Sequence, residues 1–262
     1  MRECEEEGNA VCGEQSQATF REGALGLLAA VCNDSRDHRV MCRKGLARDL
    51  CEETARVSSP LISTCVAVIA AIAVTPDARD YLREAGCIRA LVQLLCSSTT
   101  AQAQKDLALR TLATLSTNNV AVATELVRSG AVPVLTAVVR GAFAAVQQHI
   151  ADAVASGGGA AEAAAAAAAS GDDTLLTNSL WTVATASCSK EGHAQMLSEG
   201  LVELLVRVLD SAPKQTYCDY ALSALLQLTA TEECRRLMVR CRAHEILTRL
   251  VAAASTPSTA AT

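Results

Sequence analysis

Aromatic residues are scarce in this 262-residue chain: Phe20, Tyr81, Phe143, Trp181, Tyr217 and Tyr220 are all of them. Proteins that hold single-stranded nucleic acid need rows of stacking rings, and so small a set cannot build one. A basic surface is missing too. With 23 Lys and Arg against 28 Asp and Glu, the chain lacks the positive field that phosphate backbones require, so no nucleic-acid partner is expected. The acidity is local, because residues 1–16 set Arg2 against Glu3, Glu5, Glu6, Glu7 and Glu14. Charged residues make up 19%, below the usual share of about 25%, while 50% are hydrophobic, which supports a packed core and excludes wholesale disorder.

Motifs for chemistry are also missing. The twelve cysteines form no CxxC pair, and MRECEEEGNA supplies neither the basic nor the apolar part of a secretory leader. Reduced thiols are therefore expected. Cys32, Cys65, Cys87 and Cys96 interrupt apolar runs where a small hydrophobe packs. Cys188 with His193, and Cys234 with Cys241, lack the further ligands of a zinc site, so neither metal nor cofactor is expected. The Gly157–Gly159 run is not followed by Lys-Ser/Thr, and no Gly-x-Ser-x-Gly elbow or His-Glu-x-x-His helix occurs. The four histidines, His38, His149, His193 and His244, read as solvated residues at unrelated positions. These gaps predict a protein that is not an enzyme and has no small-molecule substrate. The longest strongly apolar stretch, Leu61 to Val74, is 14 residues, shorter than the ~18 to 20 that cross a bilayer, so membrane insertion is not expected.

What the chain does have is a repeat. MCRKGLARDL, LREAGCIRAL, LVRSGAVPVL and MLSEGLVELL each place a leucine five residues after a glycine: Gly45 and Leu50, Gly86 and Leu91, Gly130 and Leu135, Gly200 and Leu205. A fifth copy, MVRCRAHEIL, has Arg242 in the glycine's place and keeps Leu247. Met41, Leu82, Leu126, Met196 and Met238 lie four residues before these points. A further apolar helix recurs upstream, in which Leu28, Ile69, Leu112, Val183 and Leu225 share one position and Val31, Ile72, Leu115, Ala186 and Leu228 follow a turn later. Helices apolar nearly all round are sandwiched between neighbours. Each unit thus reads as a short helix ending at a glycine corner, a second helix holding the leucine, and a third, longer helix. Thr75-Pro76 caps one short helix and Pro133 opens a second helix. The predicted core holds Leu50, Leu91, Leu135, Leu205 and Leu247.

The pattern resembles the armadillo repeat: REAGCIRALVQLL is similar to its glycine-to-second-helix segment, and SLWTVATAS to its third helix. HEAT repeats, two-helix units without the glycine corner, are the nearest alternative. The resemblance implies an all-α fold, a right-handed armadillo-repeat α-solenoid. It divides the chain into an acidic tail (1–16), repeats (17–142), a low-complexity glycine and alanine insertion (143–172), repeats (173–255) and a tail (256–262). The insertion reads as an extension of a second helix followed by a mobile loop, either a docking arm or tolerated expansion. The array begins in mid-repeat and lacks obvious polar caps, so its ends are expected to meet further repeats, partners or another copy.

Armadillo proteins hold extended peptides along a concave groove lined by third helices. In this chain the corresponding positions are Asp106, Arg110 and Thr114; Thr177, Trp181 and Thr185; and Asp219, Ser223 and Gln227. Trp181 occupies the site of the groove tryptophan of importin-type members, or fills the core near the insertion. The asparagine expected four residues later is Thr185, and its counterparts are Ala30, Ala71, Thr114 and Gln227, so the ladder that clamps a peptide backbone is absent. The resemblance implies a scaffold or adaptor with protein partners; the alternatives are a nuclear-transport-type peptide receptor or a co-chaperone or ubiquitin-ligase adaptor. Alanine and cysteine bias with a polyalanine insert looks like a protist or algal sequence. Several such armadillo proteins belong to cilia or flagella, so the expected location is the cytoplasm of a eukaryote, with a cytoskeletal or axonemal assembly as the finer reading.

Overall fold

Every regular element among the described residues is a helix, and the helices follow the three-part order of the repeat. The computed structural model describes residues 23–28, 30–32, 38–43, 45–56, 59–159, 162, 165, 170–211 and 214–255. They form two compact units, divided between Leu115 and Ser116.

In the first unit a helical segment within 23–32 precedes α1 (His38–Arg43), α2 (Leu46–Ala55) and α3 (Ile62–Ala73). The next repeat is α4 (Pro76–Glu84), α5 (Cys87–Cys96) and α6 (Gln102–Ser116). The second unit runs through α7 (Val120–Arg128), α8 (Ala131–Ala155) and α9 (Gly171–Ala186). After a 3-10 turn at Lys190–Gly192 come α10 (His193–Ser198), α11 (Leu201–Ser211) and α12 (Gln215–Leu228), then α13 (Glu232–Arg240) and α14 (Ala243–Ser255). Successive second helices pack side by side, α2 on α5 in one unit and α8 on α11 and α11 on α14 in the other.

The corners explain the glycines. Gly45, Gly86, Gly130 and Gly200 take φ between 72° and 95°, the left-handed region where a Cβ is costly. Space is not the reason: a Cβ on Gly86 or Gly130 would meet no atom within 4 Å. Arg242 turns the fifth corner at φ 60°, so the same backbone is made there by a residue that is strained in it.

Leu50, Leu91, Leu135 and Leu205 are at most 2% exposed, as their shared position predicts. Leu247 is not in the core; it is 39% exposed, because no described element follows α14 to cover it. Cys32, Cys65 and Cys87 are buried packing residues, whereas Cys96, at the last position of α5, is exposed. Burial pushes the Cys42 and Cys65 thiols up to about 11, helped by neighbouring thiols and, at Cys65, by Glu53.

Two histidines depart from the sequence reading. His38 and His193 are buried, and both stand seven residues before a corner glycine. Nε2 of His38 donates to the Cys32 carbonyl at 2.5 Å, and Nε2 of His193 to the Ser187 carbonyl at 2.8 Å. A carbonyl only accepts, so that nitrogen carries the proton and Nδ1 accepts from the Thr75 hydroxyl (2.7 Å) or the Thr231 hydroxyl (2.8 Å). Arg79 and Arg235 hold the same position and donate to carbonyls six residues back, on Ala73 and Thr229. The remaining one of the five positions is Ala123, and beside it Thr124 shares a 3.0 Å hydrogen bond with Ser189. In four of the five repeats a polar side chain on a first helix thus closes the exit of the preceding third helix; the two histidines also reach the cap residue of the following first helix, and Thr124 reaches the residue that caps the 3-10 turn before α10. Each bond contributes about 0.5–1.5 kcal/mol.

Residues 143–155, the first part of the expected insertion, continue a second helix. α8 runs unbroken to Ala155, and Phe143 and Val146 are buried in the second unit. By length and composition α8 alone among the described helices could cross a bilayer, but Leu135, Val139, Phe143 and Val146 spend its apolar face on the protein core. His149 on the extension meets Asp172 at 3.3 Å in the first turn of α9, so residues 170–172 belong to that helix start. Of residues 156–172, where mobility is expected, positions 160, 161, 163, 164 and 166–169 lie outside the described residues, as do the two tails.

Candidate functional site

None of the nine positions read as groove residues is buried. They fall on three third helices, α6 in the first unit and α9 and α12 in the second. On α6, Asp106, Arg110 and Thr114 follow one another in steps of four along one face, and the Thr114 hydroxyl donates to the Arg110 carbonyl at 2.8 Å.

α9 and α12 pack against each other in the second unit and bring the other six positions together. Trp181 is half-buried. Its indole lies parallel to the ring of Tyr220, with centroids 6.2 Å apart and planes 17° from coplanar. The offset pair makes a flat apolar surface with two polar edges, the indole N–H and the phenol. Thr177 and Thr185 lie one turn to either side of Trp181, and their hydroxyls donate to the Asp173 and Thr182 carbonyls of their own helix, which leaves the oxygens free to accept. On α12, Asp219 accepts from the Gln215 side chain at 2.9 Å, and Ser223 and Gln227 continue the exposed row.

Two members of this face were not visible as such in the sequence. Tyr220 lies off the steps-of-four ladder by one residue, and its pairing with Trp181 depends on the offset between the two helices. Leu226, on the same exposed side of α12 as Asp219, is 68% exposed.

Below this face a buried clamp ties α9 to α12. Asp173, in the first turn of α9, is buried and receives Lys214 Nζ on both oxygens at 2.7 and 2.6 Å. The Tyr217 hydroxyl donates to the same carboxylate. Tyr217 is fully buried, and burial first, then the Asp173 carboxylate, raises its pKa above that of a free phenol. The Ser170 side chain accepts from the Asp173 backbone N–H and starts the helix. This arrangement fixes the register of the two helices that carry Trp181 and Tyr220.

Chemically, the face offers an aromatic slab, one carboxylate and several neutral hydrogen-bonding groups. Among the described residues no cluster of three His, Cys, Asp or Glu could hold a metal ion.

No protein-family model matches the chain, and no curated protein is similar to it in sequence. Solved structures are similar in fold. A designed armadillo repeat protein, YIII(Dq)4CqI, superimposes with a TM-score of 0.69 at 20% identity, over 91% of this chain and 87% of that one. Another, YIII(Dq.V1)4CPAF in complex with the peptide (KR)4, gives 0.67 at 19% identity, over 91% and 86%. A computationally designed armadillo repeat protein for modular peptide recognition gives 0.64 at 20% identity, over 87% and 84%. The chain therefore has the armadillo-repeat fold.

Proposed function

We propose that this chain is a non-enzymatic scaffold or adaptor that holds a segment of a partner protein against the face built by α9 and α12. The observation that carries the reading is the half-exposed Trp181–Tyr220 stack beside neutral polar side chains, the composition of a binding hot spot. The fold supports it, since designed proteins of the same architecture include one described for modular peptide recognition and one complexed with (KR)4. A polybasic peptide needs rows of carboxylates. On α9 and α12 the predicted contact positions are Thr177, Trp181, Thr185, Asp219, Ser223 and Gln227, with one carboxylate among them, so the preferred segment is uncharged or of mixed charge. Thr185 in place of an asparagine argues against the transport-receptor alternative. Buried cysteines used as small apolar residues fit a reducing compartment, and we place the protein in the cytoplasm.

Trp181 is the chain's only tryptophan, so its fluorescence reports on this face alone. Peptides selected from a displayed library on the full chain should shift that emission on titration. Trp181→Ala should weaken their binding by about tenfold or more while leaving the fold intact. Undiminished affinity in Trp181→Ala moves the interface elsewhere.

A further inference from the structure

Hydrogen-bond donors gather on the aromatic face of α9 and α12. The Trp181 indole N–H and the Tyr220 hydroxyl edge the paired rings, and the Ser223 hydroxyl and the Gln227 amide follow in the exposed row of α12. Among the described residues none of these groups donates to another part of the protein. The threonines beside Trp181 differ. Thr185 spends its hydroxyl proton on the Thr182 carbonyl at 2.9 Å, and Thr177 spends its own on the Asp173 carbonyl at 2.8 Å, so both accept but cannot donate.

An ordinary extended segment brings an N–H and a C=O at every residue, and both need partners once water is excluded. A side-chain amide at the Thr185 position would serve the two together; a threonine whose proton is spent cannot. Proline removes the N–H and keeps the C=O, so a segment rich in it asks mainly for donors. Its polyproline II backbone is extended before it binds, which lowers the ordering cost, and aromatic surfaces are what such segments dock on. The acceptors that remain, on Thr177, Thr185 and Asp219, suit the few N–H groups of residues between the prolines.

We propose that the partner segment held on this face is proline-rich, with prolyl rings against Trp181 and Tyr220 and carbonyls accepting from the indole N–H, the phenol, Ser223 and Gln227. This rests on the same face being the binding site and is lost with it.

The probe is a terminally blocked, uncharged oligoproline of about ten residues. Titrated into the full chain it should shift the Trp181 emission saturably, and a blocked alanine–glutamine peptide of equal length should bind at least about tenfold more weakly. Tyr220→Phe keeps the half-buried ring and removes one donor, so it should weaken oligoproline binding by about three- to tenfold, with circular dichroism checking the fold. Peptides selected from a displayed library should be enriched in proline. Equal affinity for the two probes, no shift with oligoproline, or unchanged affinity in Tyr220→Phe overturns the proposal. Selected peptides that lack proline, yet lose calorimetric affinity in Trp181→Ala, overturn the proline-rich occupant and keep the site. Selected peptides whose affinity survives Trp181→Ala overturn both.

Discussion

The exposed rows of α6 in the first unit and of α9 and α12 in the second occupy the same repeat position, yet they offer different chemistry. α6 presents Asp106, Arg110 and Thr114, whereas the second unit presents Trp181 stacked on Tyr220 among threonine, serine and glutamine. The register decides which positions face outward. The side chain at each position then decides whether the surface is merely solvated or can gain from losing water, and only an amphipathic ring does the latter at low entropic cost.

The largest expected effects test what the units share. Leu91→Ala and Leu205→Ala should each cost about 2–5 kcal/mol in denaturant unfolding, since both leucines are fully buried at the same repeat position. Leu247→Ala, at the equivalent but 39% exposed site, should cost clearly less than either. Equal costs at all three sites would mean that burial does not follow the register.

Next comes a feature of the second unit. Asp173→Ala leaves the Tyr217 hydroxyl buried without its acceptor and frees Lys214, at an expected cost of about 2–4 kcal/mol. The loosened α9–α12 register should also weaken binding at Trp181, whereas a purely stabilising clamp would leave affinity unchanged once the protein is folded.

Binding then separates the two rows. Trp181→Ala should lose about 2 kcal/mol of partner affinity, and Arg110→Ala, on a row without an aromatic, well under 1 kcal/mol. The opposite ranking would shift the interface to α6.

A smaller effect concerns the corners. Arg242→Gly should gain about 1 kcal/mol by relieving a left-handed non-glycine residue, and Gly86→Ala should lose a similar amount, both read from unfolding midpoints.

The alkaline limb gives the smallest effect. The Cys42 and Cys65 thiols are raised to about 11 in the fold, so the unfolded chain gives up those protons at lower pH. Their contribution is complete below about pH 9 and is lost as pH rises towards 11. The double alanine variant at these cysteines should show a shallower fall in melting temperature over that window. Native alkylation should label exposed Cys96 and Cys188 well before buried Cys65 and Cys87.

Much of this was legible in the sequence because a repeat writes the same constraint several times. Four glycines and four leucines at fixed offsets are enough to locate corners and core. The histidines were not legible in that way. His38 and His193 share an offset, but at the same offset Arg79 and Arg235 perform the carbonyl contact with a different side chain, which hides the position from a search by residue type. Leu247 shows the converse: an in-phase leucine is buried only where a neighbour covers it. Tyr220 was out of reach, since its partnership with Trp181 depends on how two helices slide past each other, and the Asp173 clamp that fixes this slide joins residues 41 and 44 positions apart.

The polar links between successive first helices also bear on the order in which the array forms. His38 meets Thr75 across 37 positions and His193 meets Thr231 across 38, but Thr124 meets Ser189 across 65. The extra span is the extension of α8 and the residues between it and α9. Closing the longer loop costs about 0.5 kcal/mol more in chain entropy, from the logarithmic dependence on length. Contacts of high sequence separation form late, so the step from α7 to the turn before α10 should be the slow one in refolding. Shortening the glycine and alanine segment should speed that step without altering any contact that the repeats make.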